Sequence, residues 1–217
     1  MHRKKAPHAK KIGTAENHRH LWLLSIWIIY LVFFYLTERL VTDHYWVSQL
    51  RIDAQIPFLE GFVIPYCAWY PLLIAMTVYL SLYDVDTFRK FMFSIALGFL
   101  PVLCFCLLFP NGQDLRPETF ARMNLLTDAV ALIYAADTNT NVLPSMHVIG
   151  CADLIAAGFH CQKLRSRNLH LVLLPLCILV SVSTVFVKQH SILDLLTAIP
   201  YSLLVLALIY RPFRKKT

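Results

Sequence analysis

Six stretches of this chain are almost wholly apolar, at residues 21–36, 62–83, 91–109, 145–161, 169–187 and 191–210, and the polar residues collect between them. A helix that crosses a bilayer needs about 20 mostly apolar residues, so the pattern predicts six spans, of which the first and fourth are short. Pro71, Pro101, Pro175 and Pro200 fall inside these stretches; prolines are tolerated in membrane helices and predict kinks there. Basic residues precede the first stretch, as they would in a signal peptide. Thr37-Glu38-Arg39 follows it without a small-residue cleavage site, so it is read as a retained span.

The longest polar gap is residues 110–144. Within it Met123, Leu126, Val130, Ile133 and Tyr134 recur at helical spacing, with Asn124 and Asp128 off that stripe. An amphipathic helix lying on the membrane surface is expected there. Asp137-Thr138-Asn139-Thr140-Asn141 reads as a turn. The plan is thus all-α and polytopic: a basic N-terminal segment 1–20, a six-helix membrane bundle 21–210 with an outer loop at 110–144, and a basic tail 211–217.

Composition sharpens the class. Of 217 residues, 58% are apolar and 15% charged, against about 45–50% and about 25% in soluble domains. That excludes a disordered chain and argues strongly against a soluble enzyme. The net charge of +7 is explained by topology. With both termini cytoplasmic, Arg39, Arg51, Arg116, Arg122 and Lys188 lie outside and the other 15 of the 20 Lys and Arg lie inside. The basic ends also suit contact with anionic lipid. No nucleic-acid-binding signature occurs, so no nucleic acid partner is expected. Of the six cysteines, Cys67, Cys104, Cys106, Cys151 and Cys177 lie within apolar stretches and Cys161 at the edge of one, with no C-x-x-C. They read as small packing residues.

Two segments carry candidate chemistry: Leu143-Pro144-Ser145-Met146-His147, where the fourth span begins, and Lys188-Gln189-His190-Ser191-Ile192-Leu193-Asp194, between the fifth and sixth. The charge-derived orientation puts both outside at one depth, although the histidines took no part in that count. Asp114-Leu115-Arg116-Pro117 lies on the same side. His190 and Asp194 are spaced i,i+4, on one face of a helix starting near His190. A carboxylate accepting the Nδ1 proton leaves Nε2 free as a nucleophile. His147 suits general acid and then general base work. Arg116 and Lys188 can place fixed positive charge on a phosphoryl group, whose transfer needs mainly positioning and charge stabilisation. Ser145 and the first N–H groups of the fourth helix can bind phosphate oxygens. Each residue also has a plainer reading: a solvated histidine, a helix N-terminal acid for Asp194, a snorkelling Lys188, a loop charge for Arg116. Their convergence at one depth favours a site.

Pro144-Ser145-Met146-His147 resembles the P-S-G-H motif of the type 2 phosphatidic acid phosphatase superfamily. Ser183 through Asp194 resembles its S-R-x5-H-x3-D motif, with His190 and Asp194 in register, and Arg116-Pro117 resembles the end of its K-x6-R-P motif. The chain departs from the pattern at Met146, in place of glycine, at Phe109, in place of the first-motif lysine, and at Thr184, in place of the third-motif arginine. The variant is similar to the branch holding inositol phosphorylceramide and sphingomyelin synthases, which transfer a phosphoryl head group between lipids. The resemblance implies a metal-independent enzyme without cofactor. A phosphohistidine would form on His190, with Asp194 holding its tautomer and His147 as acid and base. The substrate would be a membrane lipid phosphate ester or diphosphate, discharged to water or to an acceptor lipid.

Asp153 lies about mid-span, where a charge costs at least about 2.5–3.5 kcal/mol. It is six residues inside His147, and Ser183 is seven before His190, so a hydrogen bond between Asp153 and Ser183 or Ser181 is expected. Two other readings of the whole stand beside the enzyme. Two His and a carboxylate could bind a transition metal, although neighbouring Arg and Lys oppose a dication. The bundle could also be a non-catalytic lipid-binding protein with a degenerate site.

Overall fold

The computed structural model describes residues 15–42 and 44–211, so most of the basic N-terminal segment and of the basic tail lies outside the described residues. Apolar runs become helices. A 3-10 segment, Ala15–Leu24, leads into α1 (Ser25–Leu40); α2 (Val63–Tyr83) and α3 (Val85–Leu108) follow, joined by the N-cap of Asp84, whose carboxylate accepts from the Thr87 amide. Then come α4 (Leu125–Ala136), α5 (Met146–His160), the short α6 (Gln162–Ser166), α7 (Leu169–Phe186) and α8 (Ile192–Tyr210). The internal prolines all sit within continuous helices.

Among the described residues, five stretches are long and apolar enough to cross a membrane: His18–Leu40, Glu60–Tyr83, Val85–Leu108, Leu169–Phe186 and Ile192–Tyr210. The fourth expected span is different. It forms α5, 15 residues long, which at 1.5 Å per residue is about 22 Å, short of a hydrocarbon core of about 30 Å. Its sequence is bounded by Pro144 and by the break at Cys161. Helix α5 is the centre of the bundle and packs on α3, α7 and α8. Residues on all its faces are buried, from Met146 through Gly158, which is why its sequence shows no polar stripe. Two glycines permit this closeness, as small residues do between apolar helices. A Cβ at Gly150 would lie 2.8 Å from the Trp69 indole nitrogen on α2, and one at Gly98 of α3 would lie 2.8 Å from Ile149.

The amphipathic stretch of the long loop is indeed helical as α4, started by Asn124, whose side chain accepts from the Leu126 and Thr127 amides. Val130 is buried, with Leu126, Ile133 and Tyr134 packed beside Phe58, Phe62 and Tyr66. Met123 precedes the helix and is exposed. Among the described residues the one strand pairing is a two-residue parallel ladder of β1 (Trp46–Val47) on β2 (Asn111–Gly112). It fastens the loop after α1 to the loop after α3. All six cysteines are free, four of them buried.

Asp153 is 1% exposed, but neither serine reaches it. Ser183 donates to the Val180 carbonyl and Ser181 to that of Cys177, the usual use of a serine hydroxyl inside a helix. Asp153 instead faces α3, where a Cβ on Gly98 would lie 3.7 Å from its Oδ2.

Candidate active site

The start of α8 is built by a capping box, in which Ser191 Oγ accepts from the Asp194 amide at 3.2 Å and Asp194 Oδ2 accepts from the Ser191 amide at 2.8 Å. The same carboxylate accepts from Ser48 Oγ at 3.0 Å and pairs with His190 Nδ1 at 3.3 Å. Asp194 is fully buried, and both its oxygens accept from these three donors. His190 is thereby held by one ring nitrogen, with the other turned from the carboxylate.

The segment before α5 is fixed by Asn111, whose Oδ1 accepts from the Val142 and Leu143 amides at 3.1 and 2.8 Å. Ser145 occupies the N-cap of α5 without capping through its side chain. Within the first turn of the helix, the His147 ring lies against Trp69 (centroids 4.3 Å) and Tyr66 (4.5 Å) of α2, and meets the His190 ring edge-on at 5.6 Å. Tyr66, Trp69 and Tyr70 form an i, i+3, i+4 aromatic face on α2. That spacing was visible in the sequence; its pairing with His147 was not.

Arg116 ties the end of α4 to the histidine segment. Its Nη1 donates to the Tyr134 and Asp137 carbonyls at 3.3 and 3.0 Å, its Nη2 to the Thr138 carbonyl at 2.6 Å and to Gln189 Oε1, and its plane covers the Tyr134 ring at 4.5 Å. A guanidinium gathering carbonyls at a helix C-terminus is favourably placed. Burial lowers its pKa, partly offset by Asp137.

Lys188 goes elsewhere. Its backbone is left-handed, with φ 55°, and its ammonium donates to the Asp53 and Ile56 carbonyls at 2.9 and 2.6 Å. Burial lowers its pKa, with Asp53 opposing. Of the six residues picked from sequence, the structure therefore gathers His147, His190, Asp194 and Ser145 in one place and joins Arg116 to them through Gln189. It binds Lys188 to the 51–56 turn.

A cleft of about 400 Å³ opens beside the two histidines. Its polar end carries His147, His190, Gln189, Asp137, Thr138 and Asn141, and its apolar walls come from α1 and α2. Sequence reading passed over Glu38, which organises that end: its carboxylate accepts from the Thr138 amide and hydroxyl and, at 2.7 Å, from Asn141 Nδ2. Asp137 beside it is pushed up to about 7, first by burial and then by Glu38, with Arg116 opposing.

Several buried polar atoms around the histidines have no hydrogen-bond partner: His147 Nε2, Ser145 Oγ, Gln189 Nε2, Arg116 Nε and Asn141 Oδ1. Buried polar atoms are nearly always paired, so these are positions where a polar group or an ordered water would find partners. Among the described residues, no group of three or more His, Cys, Asp and Glu side chains is gathered to hold a metal ion. No protein-family model, no curated protein and no solved structure matches this chain.

Proposed function

We propose that this chain is an integral membrane enzyme that cleaves or transfers the phosphoryl group of a lipid phosphate ester or diphosphate, as a divergent relative of the type 2 phosphatidic acid phosphatases. The observation that carries the reading is the pair of imidazoles 5.6 Å apart, one braced by Asp194 and the other with Nε2 unpaired. His190 Nε2 attacks phosphorus, forming the P–N bond as the P–O bond to the leaving group breaks. Asp194 keeps the Nδ1 proton in place and stabilises the charged ring. His147 donates its proton to the departing oxygen, then as base takes one from water or a lipid hydroxyl, whose oxygen displaces His190. Ser145 Oγ, Gln189 Nε2 and Arg116 Nε supply donors to the phosphoryl oxygens, in the manner of preorganised electrostatic stabilisation.

In this reading both termini are cytoplasmic and the histidines face the opposite side, as the distribution of Lys and Arg favours. Helix α5 makes the sixth crossing from within the ring of α3, α7 and α8, and α4 lies at the interface. One observation favours a second reading, a lipid-binding protein without turnover: Lys188 and most of the Arg116 guanidinium are already committed to backbone carbonyls.

The test is turnover by purified protein in detergent micelles. Phosphatidic acid and a prenyl diphosphate serve as donors, with and without diacylglycerol or ceramide as acceptor. Phosphate release or transfer that vanishes in His190→Ala, with acid-labile phosphate trapped on His190, is the expected result. Equal activity in both proteins removes the phosphohistidine. No activity in either, with lipid phosphate still bound, leaves the binding protein.

A further inference from the structure

The cleft beside the histidines is far larger and more apolar than a phosphoryl group requires, and its shape is specific. Helix α1 packs on α3, and the cleft separates its other face from α2. Tyr30 on α1 and Trp69, Leu73 and Thr77 on α2 line it as buried residues; Leu31, Ile74 and Val78 line it as exposed ones. The exposed residues mark an opening between the two helices. On α2 the lining runs from Trp69, beside His147, to Val78, about 13 Å at the helical rise. One leaflet of a hydrocarbon core about 30 Å thick is about 15 Å deep, so the lining is about as long as a single leaflet is deep.

Beyond the far end the two helices are bridged. His20, in the 3-10 segment ahead of α1, is buried and its Nε2 donates to the Ser81 carbonyl of α2 at 3.0 Å, while its ring meets Phe88 of α3 edge-on at 5.5 Å. Leu23 is buried beside it. Helices α1 and α2 are thus tied at one end, just beyond Val78, and separated at the other, where the polar groups are. The result is a slot bridged at one end and open sideways, with its His, Asp, Gln and Asn side chains at the other end only.

We infer that this slot takes one hydrocarbon chain of the lipid whose phosphate meets His147 and His190, that the lipid slides in sideways between α1 and α2, and that the His20–Ser81 tie sets the longest chain that fits. The inference rests on the proposed function for the identity of the head group. The polarity gradient argues for a lipid rather than a soluble phosphate: an amphiphile satisfies both ends of the slot at once, whereas a soluble one leaves its apolar walls uncovered. Thr77 sits near the bridged end with its hydroxyl bonded to the Leu73 carbonyl, so a larger side chain there shortens the slot without touching the histidines.

Labelling tests the slot independently of turnover. The probe is long-chain phosphatidic acid carrying a diazirine near the end of one acyl chain, photolysed with the full chain in detergent micelles and mapped by peptide mass spectrometry. Label is expected on the lining residues of α1 and α2, falling about tenfold in Thr77→Trp or in the rim variant Val78→Trp. It is expected to be unchanged in Val32→Trp, on a face of α1 outside the slot. Label spread around the bundle, or indifferent to Thr77→Trp and Val78→Trp, overturns the slot even if the enzyme turns over. If the wild-type protein is active, dihexanoyl and dipalmitoyl phosphatidic acid are then compared. Thr77→Trp is expected to cut the long-chain rate about tenfold relative to the short-chain rate, and equal losses count against the slot. Absence of turnover with intact, Thr77-dependent labelling instead removes the catalytic reading and keeps the slot.

Discussion

The backbone amide of Ser145 donates to the carbonyl of Asp194 at 3.1 Å. This bond joins the N-cap of α5 to the first turn of α8, two segments far apart in sequence, and it helps to set the 5.6 Å between the His147 and His190 rings. Each ring projects from the first turn or the threshold of a rigid helix. A helix places His147, whereas His190 sits in the short turn just ahead of the α8 N-cap, where its amide donates to the Thr184 carbonyl at 3.1 Å.

His147 and His190 should fail in different ways. In His147→Ala, turnover of a lipid phosphate should fall by about 10²–10⁴-fold, the usual weight of a general acid–base group. A substrate with a good leaving group, such as p-nitrophenyl phosphate, needs no acid in the first step. With it, His147→Ala should still form the phosphoenzyme and release phosphate slowly, seen as a burst in rapid quench. His190→Ala should show neither burst nor trapped phosphate. Identical behaviour of the two variants with both substrates would contradict the division of roles.

Asp194→Asn should cost stability as well as rate. The buried carboxylate accepts from the Ser191 amide, from Ser48 Oγ and at His190 Nδ1. An asparagine has a single acceptor oxygen and would turn an N–H toward one of these donors. Losing one charge-assisted hydrogen bond costs about 1.5–3 kcal/mol, readable as a lower melting temperature in detergent. Freed from the carboxylate, the His190 ring can adopt the wrong tautomer, so the rate should fall beyond what the remaining folded fraction explains. A variant with wild-type melting would show that the Asp194 bonds are replaceable.

Asp137 supplies a pH dependence. An acid whose pKa is higher in the folded than in the unfolded chain holds extra protons when folded, so stability falls as pH rises between the two values. For Asp137 that window runs from the ordinary 3.8 to about 7. The melting temperature of the wild-type protein should therefore decline from mildly acidic to neutral pH. Asp137→Asn should flatten that decline, gaining on the wild type at neutral pH and not at low pH. Parallel curves for the two proteins would mean that Asp137 ionises as a solvated carboxylate does.

What could be read from sequence follows from range. His190 and Asp194 are four residues apart at a helix start, and local geometry alone puts them together. The α4 stripe and the capping residues of α8 are equally local. Distant partners were not readable. Nothing in the sequence around Glu38 says that it will bond Thr138 and Asn141, a hundred residues later, or that Trp69 will cover His147. The Asp153 expectation failed because it matched depth but ignored the nearer acceptors: the serines satisfied themselves on their own helices. The fourth stretch is apolar on all sides because protein surrounds it, and composition cannot distinguish that from lipid.

Lys188 is the sharpest case, because its sequence position and its structural position predict opposite outcomes. Two residues before His190, it is well placed along the chain to bind a phosphoryl group. The left-handed backbone at Lys188 turns its side chain to the 51–56 turn instead, where two carbonyls hold the ammonium. Its own carbonyl accepts from Gln113 Nε2 at 2.9 Å. Lys188→Met keeps the aliphatic stem and removes the donors, leaving the Ile56 carbonyl unpaired and the Asp53 carbonyl with only the Ile56 amide, at a cost of about 1–3 kcal/mol. The melting temperature should therefore drop while kcat of the folded protein stays within a few-fold of wild type. Loss of turnover by about a hundredfold or more with unchanged melting would mean the reverse, that the ammonium leaves its carbonyls to meet the developing charge on phosphorus, as preorganised cations do in phosphoryl transfer.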